Sequence, residues 1–434
     1  MRQAFRAPIF HCLADPGEGG NAAATEYFAD GLLVTDDGKI AQLGDATELL
    51  AANADIEPRE FPDQLIVPGF IDCHVHFPQV DIIASYGEQL LDWLDRYAYP
   101  GEQRYVDAEF ASEAAGFFLD ELLKNGTTTA AVFATVHPQS ADAIFAAAAK
   151  RDMRLIAGKV LMDRNCPDAL ADTPESAYAD SKRLIEQWHG QGRLGYAITP
   201  RFAVTSSDAQ LAAAGRLASE HPDTWVHTHL AENQLEIDEV AESFPWSDSY
   251  LGVYDHFGLL RERSIFAHCL HLSNADRRRM SEAGGAAAFC PSSNLFLGSG
   301  LFDLRAMNDA HVRCGLATDV GGGTSLSMLR TMGEAYKVLQ LQHQGLPAAR
   351  SLYLATLGAA AALRLDDSIG NLQPGKDADF VVLNARGTGL SSRRVTYSDA
   401  PEEQLFALTM LADDRHVAAT FVNGQEALIP TDGV

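Results

Sequence analysis

Short apolar runs recur through the middle of the chain, alternating with segments of helical composition. The runs at 70–74, 128–134, 154–162, 195–201, 225–230, 264–269, 286–290 and 312–319 read as strands, and 108–124, 141–150, 175–188 and 207–220 read as helices. Eight strands alternating with helices predict an α/β fold, a (β/α)8 TIM-type barrel. An open doubly wound sheet is the competing arrangement. It usually carries a glycine-rich phosphate loop after an early strand, whereas Gly321-Gly322-Gly323 follows the last strand and lacks that spacing.

The two ends of the chain have a different period. Gly31-Leu32-Leu33-Val34-Thr35 and Lys39-Ile40-Ala41-Gln42-Leu43 flank Asp36-Asp37-Gly38, which reads as a hairpin turn. Asp379-Phe380-Val381-Val382-Leu383 reads as a strand, and 418–422 and 425–428 flank Asn423-Gly424 as a second hairpin. An isolated hairpin is marginal in water. The two ends are therefore expected to combine into one small β-sandwich domain, from residues 1–66 and 369–434, with the barrel at 67–368 inserted between them.

Composition narrows the partners. Hydrophobic residues make up 47% and charged residues 21%, ordinary for a globular protein, but the formal charge of −26 is not. So acidic a chain lacks the excess Lys and Arg that nucleic acid or an anionic membrane surface requires. No segment is long and apolar enough for a membrane span, and no basic then apolar leader opens the sequence. The six cysteines include no C-x-x-C pair, and several lie in apolar runs, so they read as buried free thiols. A cytoplasmic location is the expectation.

Barrel chemistry collects at the carboxyl ends of the strands. Those ends carry His74 and His76, Asp163-Arg164, Arg201, His229, His268, Asn294 and Asp319. On an extended strand His74 and His76 point the same way, as two neighbouring metal ligands must. His74, His76, His229 and Asp319 together offer three imidazoles and a carboxylate, close to the ligand set of a catalytic zinc with a position left for water. His268 is a further candidate, as a ligand or as a neighbour polarising water or substrate. His227 shares the face of His229 and competes with it; His229 is preferred because Glu232 follows it at the strand end, where a carboxylate reaches over a metal. Two absences matter as well. The fourth strand end, Ile198-Thr199-Pro200-Arg201, has no lysine to carry a bridging carbamate, so one metal per chain is expected. Without a C-x-x-C, the nucleobase deaminases of the H-x-E and P-C-x-x-C type do not fit.

These residues carry a resemblance. Pro68-Gly69-Phe70-Ile71-Asp72-Cys73-His74-Val75-His76, His227-Thr228-His229-Leu230-Ala231-Glu232, Ala267-His268-Cys269, Ala317-Thr318-Asp319 and the tail 370–379 are similar to the amidohydrolase superfamily. Phe77-Pro78-Gln79, the stretch 86–94, Thr199-Pro200-Arg201-Phe202 and 294–300 resemble its guanine-deaminating branch. Cys73 stands where threonine is expected, a packing change. The resemblance implies one Zn2+ per chain held by His74, His76, His229 and Asp319, a purine base as the small-molecule substrate gripped by Gln79, Arg201 and Phe202, and a homodimer.

It also implies a hydrolytic route from guanine to xanthine and ammonia. Zinc lowers the pKa of its water so that it attacks carbon 2 of the base at neutral pH. Asp319 takes the water's proton, Glu232 protonates the adjacent ring nitrogen and then the departing amine, and His268 hydrogen-bonds the new oxygen. The same ligands would serve a deaminase of another ring, such as a pterin, an oxidised guanine, a substituted adenine or a triazine. Gln79, Arg201-Phe202 and the segment after Cys290 discriminate among these. A binding protein on a dead barrel would typically have lost metal ligands, and all those expected are present. The aromatic stretch 86–105 is expected to form a cover over the pocket, a packed outer helix or a subunit contact.

Overall fold

The computed structural model describes residues 1–87, 89–398 and 400–427; Glu88 of the 86–94 stretch and Leu428 of the last expected strand lie outside the described residues. The chain divides into two compact units, one of residues 1–72, 120–129 and 326–434 and one of 73–119 and 130–325. This division does not coincide with the expected boundaries at 67 and 369, because the helices from Met328–Gln340 to Leu357–Ala362 group with the chain termini.

The terminal unit is built on one sheet, ordered Gln425–Glu426, Val417–Val422, Phe380–Leu383, Leu65–Pro68, Gln3–Cys12, Thr25–Asp36 and Lys39–Asp45, with Arg59–Glu60 beside the Gln3–Cys12 strand. Leu65–Pro68 is the seam, since Ile66 faces Ile9 in parallel register while Val67 faces Val381 antiparallel. Both expected hairpins form. Asp37 and Gly38 sit at φ 48° and 79°, and Asn423 and Gly424 at 51° and 74°, so both central residues of each turn adopt the left-handed conformation that suits the twist of paired strands. Phe5, Phe380 and Phe421 pack ring to ring at 4.3–5.0 Å in the core of this sheet.

The second sheet runs in the order Arg313–Leu316, Ala286–Phe289, Ser264–His268, Trp225–Leu230, Leu194–Pro200, Arg154–Gly158, Thr127–Phe133 and Phe70–His76. Spatial order equals chain order, as in a barrel of right-handed βα units. Two hydrogen bonds bring its ends together: Asp319 N to His74 O at 2.9 Å and His76 N to Val320 O at 2.8 Å. Strands covered on both faces explain the continuous apolar runs, and Phe70–His76, Thr127–Phe133 and Leu194–Pro200 are buried along their whole length. The third strand is not continuous as expected. It breaks at Lys159 into Arg154–Gly158 and Val160–Leu161, and the second piece keeps pairing with Thr199 and Pro200. Helix Ala108–Lys124 matches its expected span residue for residue; its first turn is capped by Asp107, which accepts from Glu109 N and Phe110 N. Pro174–Trp188 begins with a Thr173–Ser176 capping box.

Candidate metal centre and the cavity above it

Strand ends deliver four ligand atoms to one point. His76 Nε2 lies 3.1 Å from His74 Nε2 and 3.2 Å from His229 Nε2. Asp319, turned by a left-handed backbone at φ 50°, sets Oδ1 3.1 Å from His74 Nε2 and 3.5 Å from His76 Nε2. All four ligand atoms fall within 4.8 Å of one another. Burial lowers the pKa of all three imidazoles, those of His76 and His229 well below the ordinary value, so each is neutral with a lone pair. Burial works against the charge of Asp319, yet the His74 hydrogen bond and nearby imidazoles hold its carboxyl below the usual range. Three imidazole nitrogens crowded round one point beside a carboxylate cannot all satisfy one another as hydrogen-bond partners. They suit a divalent cation, and an N3O set suits zinc.

The outer nitrogens are also held. His74 Nδ1 is 2.8 Å from His227 Nε2, and His229 Nδ1 is 2.7 Å from the Arg201 carbonyl oxygen, contacts that orient the rings. Thus His227 stands behind His74, while His229 reaches the cluster. Asp163 and Arg164, expected on the rim with the other strand-end residues, turn elsewhere. Asp163 accepts from Ser207 N at 2.7 Å at the start of helix Asp208–Glu220, and Arg164 donates to the carbonyls of Val204 and Ala203.

Beside the ligand cluster lie Glu232 and His268. His268 Nε2 is 3.4 Å from Glu232 Oε2 and 3.7 Å from Asp319 Oδ2, and its Nδ1 is fixed by Asn294 Oδ1 at 2.8 Å. Burial alone would keep His268 neutral, but Glu232 and Asp319 outweigh it and raise its pKa. For Glu232, burial pushes the carboxyl up to about 7, with His268 pulling the other way. A proton acceptor and donor poised near neutrality is what proton transfer in a hydrolysis requires. Sequence reasoning missed the parts that aim Glu232. Ser299 Oγ donates to Oε1 at 3.0 Å, and the buried Glu236 accepts from Glu232 N and Asn233 N while Tyr250 OH donates to it at 2.6 Å.

A cavity with about 380 Å³ of empty space, part of it open to solvent, lies above this cluster. Gln79, Arg201 and Phe202 line it as expected, together with Leu90, Trp93, Leu94, Leu297 and Gly322. Leu90, Trp93 and Leu94 belong to a helical segment, Leu90–Trp93, Leu94–Ala98 and Tyr99–Gln103, whose middle turn is widened to a π turn just before Pro100. Of the readings open for residues 86–105, the cover over the pocket describes these three side chains. This segment also brings in Glu102, which no motif signalled. Glu102 is fully buried and accepts from Arg201 Nη1 at 2.9 and 2.8 Å and from Gln79 Nε2 at 2.8 Å. Gly321 N donates to Gln79 Oε1 at 3.1 Å, which fixes the amide's orientation.

A parallel barrel with a three-histidine, one-aspartate cluster at its strand ends, a paired acid and imidazole beside it and a cavity above them defines a metal-dependent hydrolase. The chain belongs to the amidohydrolase family, whose profile matches residues 65–427. It is 52% identical to the guanine deaminase of Escherichia coli (strain K12) over 405 residues, 93% of this chain and 92% of that one. It is 42% identical to a probable guanine deaminase of Deinococcus radiodurans over 428 residues, 97% of each chain. Its fold matches the solved structure of the E. coli guanine deaminase with a TM-score of 0.96 at 49% identity, covering 98% of this chain and 99% of that one. It also matches that of a guanine deaminase from C. acetobutylicum with guanine bound in the active site, with a TM-score of 0.90 at 26% identity over 99% and 100% of the two chains.

Proposed function

We propose that this protein hydrolyses guanine to xanthine and ammonia. The observation that carries the reading is the pairing, in one cavity, of a four-ligand cluster with a slot lined by Gln79, Arg201 and Phe202. The similarity to guanine deaminases along almost the whole chain supports it.

His74, His76, His229 and Asp319 would hold a zinc ion, which when bound would make a water nucleophilic at neutral pH. The chain's own residues do the rest. Arg201 and Gln79 hold the base by its oxygen and ring edge, and Phe202, Trp93 and Leu94 enclose its faces and exclude bulk water. Asp319 accepts the proton of the attacking water. Glu232 gives its proton to the ring nitrogen next to carbon 2, takes up the proton of the added hydroxyl as the new carbonyl forms and passes it to the leaving amine, and the proton held by Asp319 then restores Glu232, while Ser299 and Glu236 keep its carboxylate in reach. His268 donates a hydrogen bond to the oxygen added at carbon 2, its ring held by Asn294. Among the described residues one N3O cluster forms, which supports one zinc per chain; the resemblance of the motifs supports a homodimer, and the free cysteines support a cytoplasmic location. Among the described residues no helix is long and apolar enough to cross a membrane.

The test is an ammonia-release assay on the zinc-loaded protein with guanine, other aminopurines, pterins and triazines, alongside metal analysis. Guanine should turn over fastest, with xanthine formed in equal amount and one zinc per chain. Faster turnover of another ring, or no release from guanine by zinc-loaded protein, would overturn the reading.

A further inference from the structure

The pairing of Glu102 with Arg201 has a consequence for which species the pocket accepts. Both partners are buried, the carboxylate completely, and both bonds to it come from Nη1. Arg201 nonetheless lines the cavity, so the group that reads the base is an arginine already neutralised from behind. The same carboxylate accepts from Gln79 and so joins the two polar readers of the slot into one unit. Among the described residues, Tyr99 and Cys166 are the other titratable groups that act on the Arg201 guanidinium, and Glu232 and Asp319 line the same cavity on the side of the ligand cluster. Tyr99, on the same helical segment, lies under the guanidinium at 5.3 Å, and burial raises its phenol. Cys166, from the segment after the third strand, is pushed up to about 11 by burial. His74, His76 and His229 are neutral and belong to the ligand cluster.

We propose that Glu102 is a positioning residue that sets the charge preference of the site: paired with Arg201, it makes the pocket a reader of neutral purine bases and prevents it from acting as an anion trap. The proposal rests on the function given above. Guanine is neutral at physiological pH, whereas xanthine, with a second ring carbonyl in place of the amidine, loses a proton near neutrality. A bare buried guanidinium would hold that anion tightly, because a charge-assisted bond in a dry site gains strength that water would otherwise screen. With Glu102 in place the anion meets a neutral pair and the product leaves.

Xanthine binding to the zinc-loaded protein, measured by calorimetry from below to above the pH of xanthine ionisation, tests this together with guanine kcat and KM. In the wild type, xanthine affinity stays level or weakens as pH rises. In Glu102→Gln it strengthens with pH, to about tenfold or more over wild type at the alkaline end, and the guanine KM rises while kcat changes less. The double variant Glu102→Gln/Arg201→Gln loses that strengthening, which a merely structural role for Glu102 would not produce. Glu102→Asp keeps the charge with a shorter reach, so guanine KM rises but the xanthine trend stays that of the wild type. A folded, zinc-loaded Glu102→Gln with the wild-type trend would sink the inference, as would a Glu102→Asp protein with the trend reversed. Failure of the functional reading shows separately, as absence of ammonia release from guanine by the wild type.

Discussion

The floor and the wall of the cavity are built on different principles. The floor, with His74, His76, His229, His268 and Asp319, stands on the ends of barrel strands whose backbones are hydrogen-bonded on both sides. The wall, with Leu90, Trp93, Leu94 and Glu102, stands on a helical segment interrupted by a π turn, and meets Arg201 at a strand end through the buried Glu102 carboxylate and the Tyr99 ring. A metal tolerates little error in ligand distance, and rigid strands supply that accuracy. A planar base needs apolar cover and a few fixed polar contacts, which a single helix can carry. On the proposed function, the chemistry falls to the floor, and the wall adds apolar cover and a counter-charge to the Arg201 and Gln79 that hold the base.

That contrast is tested most severely at the floor. Asp319→Asn should lower kcat by about 10⁴ or more and reduce bound zinc, since it removes both a ligand and the acceptor of the water's proton. Next in size, Glu232→Gln should cost about 10²–10⁴ in kcat with zinc content unchanged, because it removes the proton carrier alone. The sign of its pH dependence follows from burial raising the carboxyl to about 7. Glu232 is protonated below that pH and loses its proton above it, so kcat/KM should fall as pH rises through neutrality. The positive charge of bound zinc draws that limb lower, and in Glu232→Gln the limb should vanish. His227→Asn should weaken zinc binding by about 10–100-fold, measured by competition with a chelator, and activity should return when zinc is in excess. The smallest effect belongs to the wall: Leu94→Ala should raise guanine KM by about tenfold with zinc content and the pH profile unchanged. A wall variant that lost zinc, or a floor variant that changed only KM, would break the division.

Much of the floor was legible in the amino-acid order, because strand geometry obliges alternate residues to share a face. His74 and His76 can only point together, and a carboxylate three residues past His229 can only sit at the rim. The expected third strand and the expected role of Asp163 and Arg164 show where such reasoning stops. Lys159 interrupts that strand, and Asp163 and Arg164 after it bond to Ser207 and to the carbonyls of Ala203 and Val204, partners brought close by the fold and not by local sequence. For Glu102 there was no periodic signal at all. In sequence it is one acid among 59, and only its complete burial against Arg201 and Gln79 separates it from the solvated ones.

Taken alone, the order of residues determined the alternation of strands and helices, the combination of the two chain ends into one β unit and the set of groups able to hold a cation, since each of these follows from local periodicity and side-chain chemistry. The tertiary structure alone decided that His227 stands behind His74, that Ser299 and Glu236 bond to Glu232, and that Arg201 lines the cavity bonded to the buried Glu102. Those outcomes depend on which atoms come within about 3 Å across long stretches of chain, a distance that no local pattern encodes.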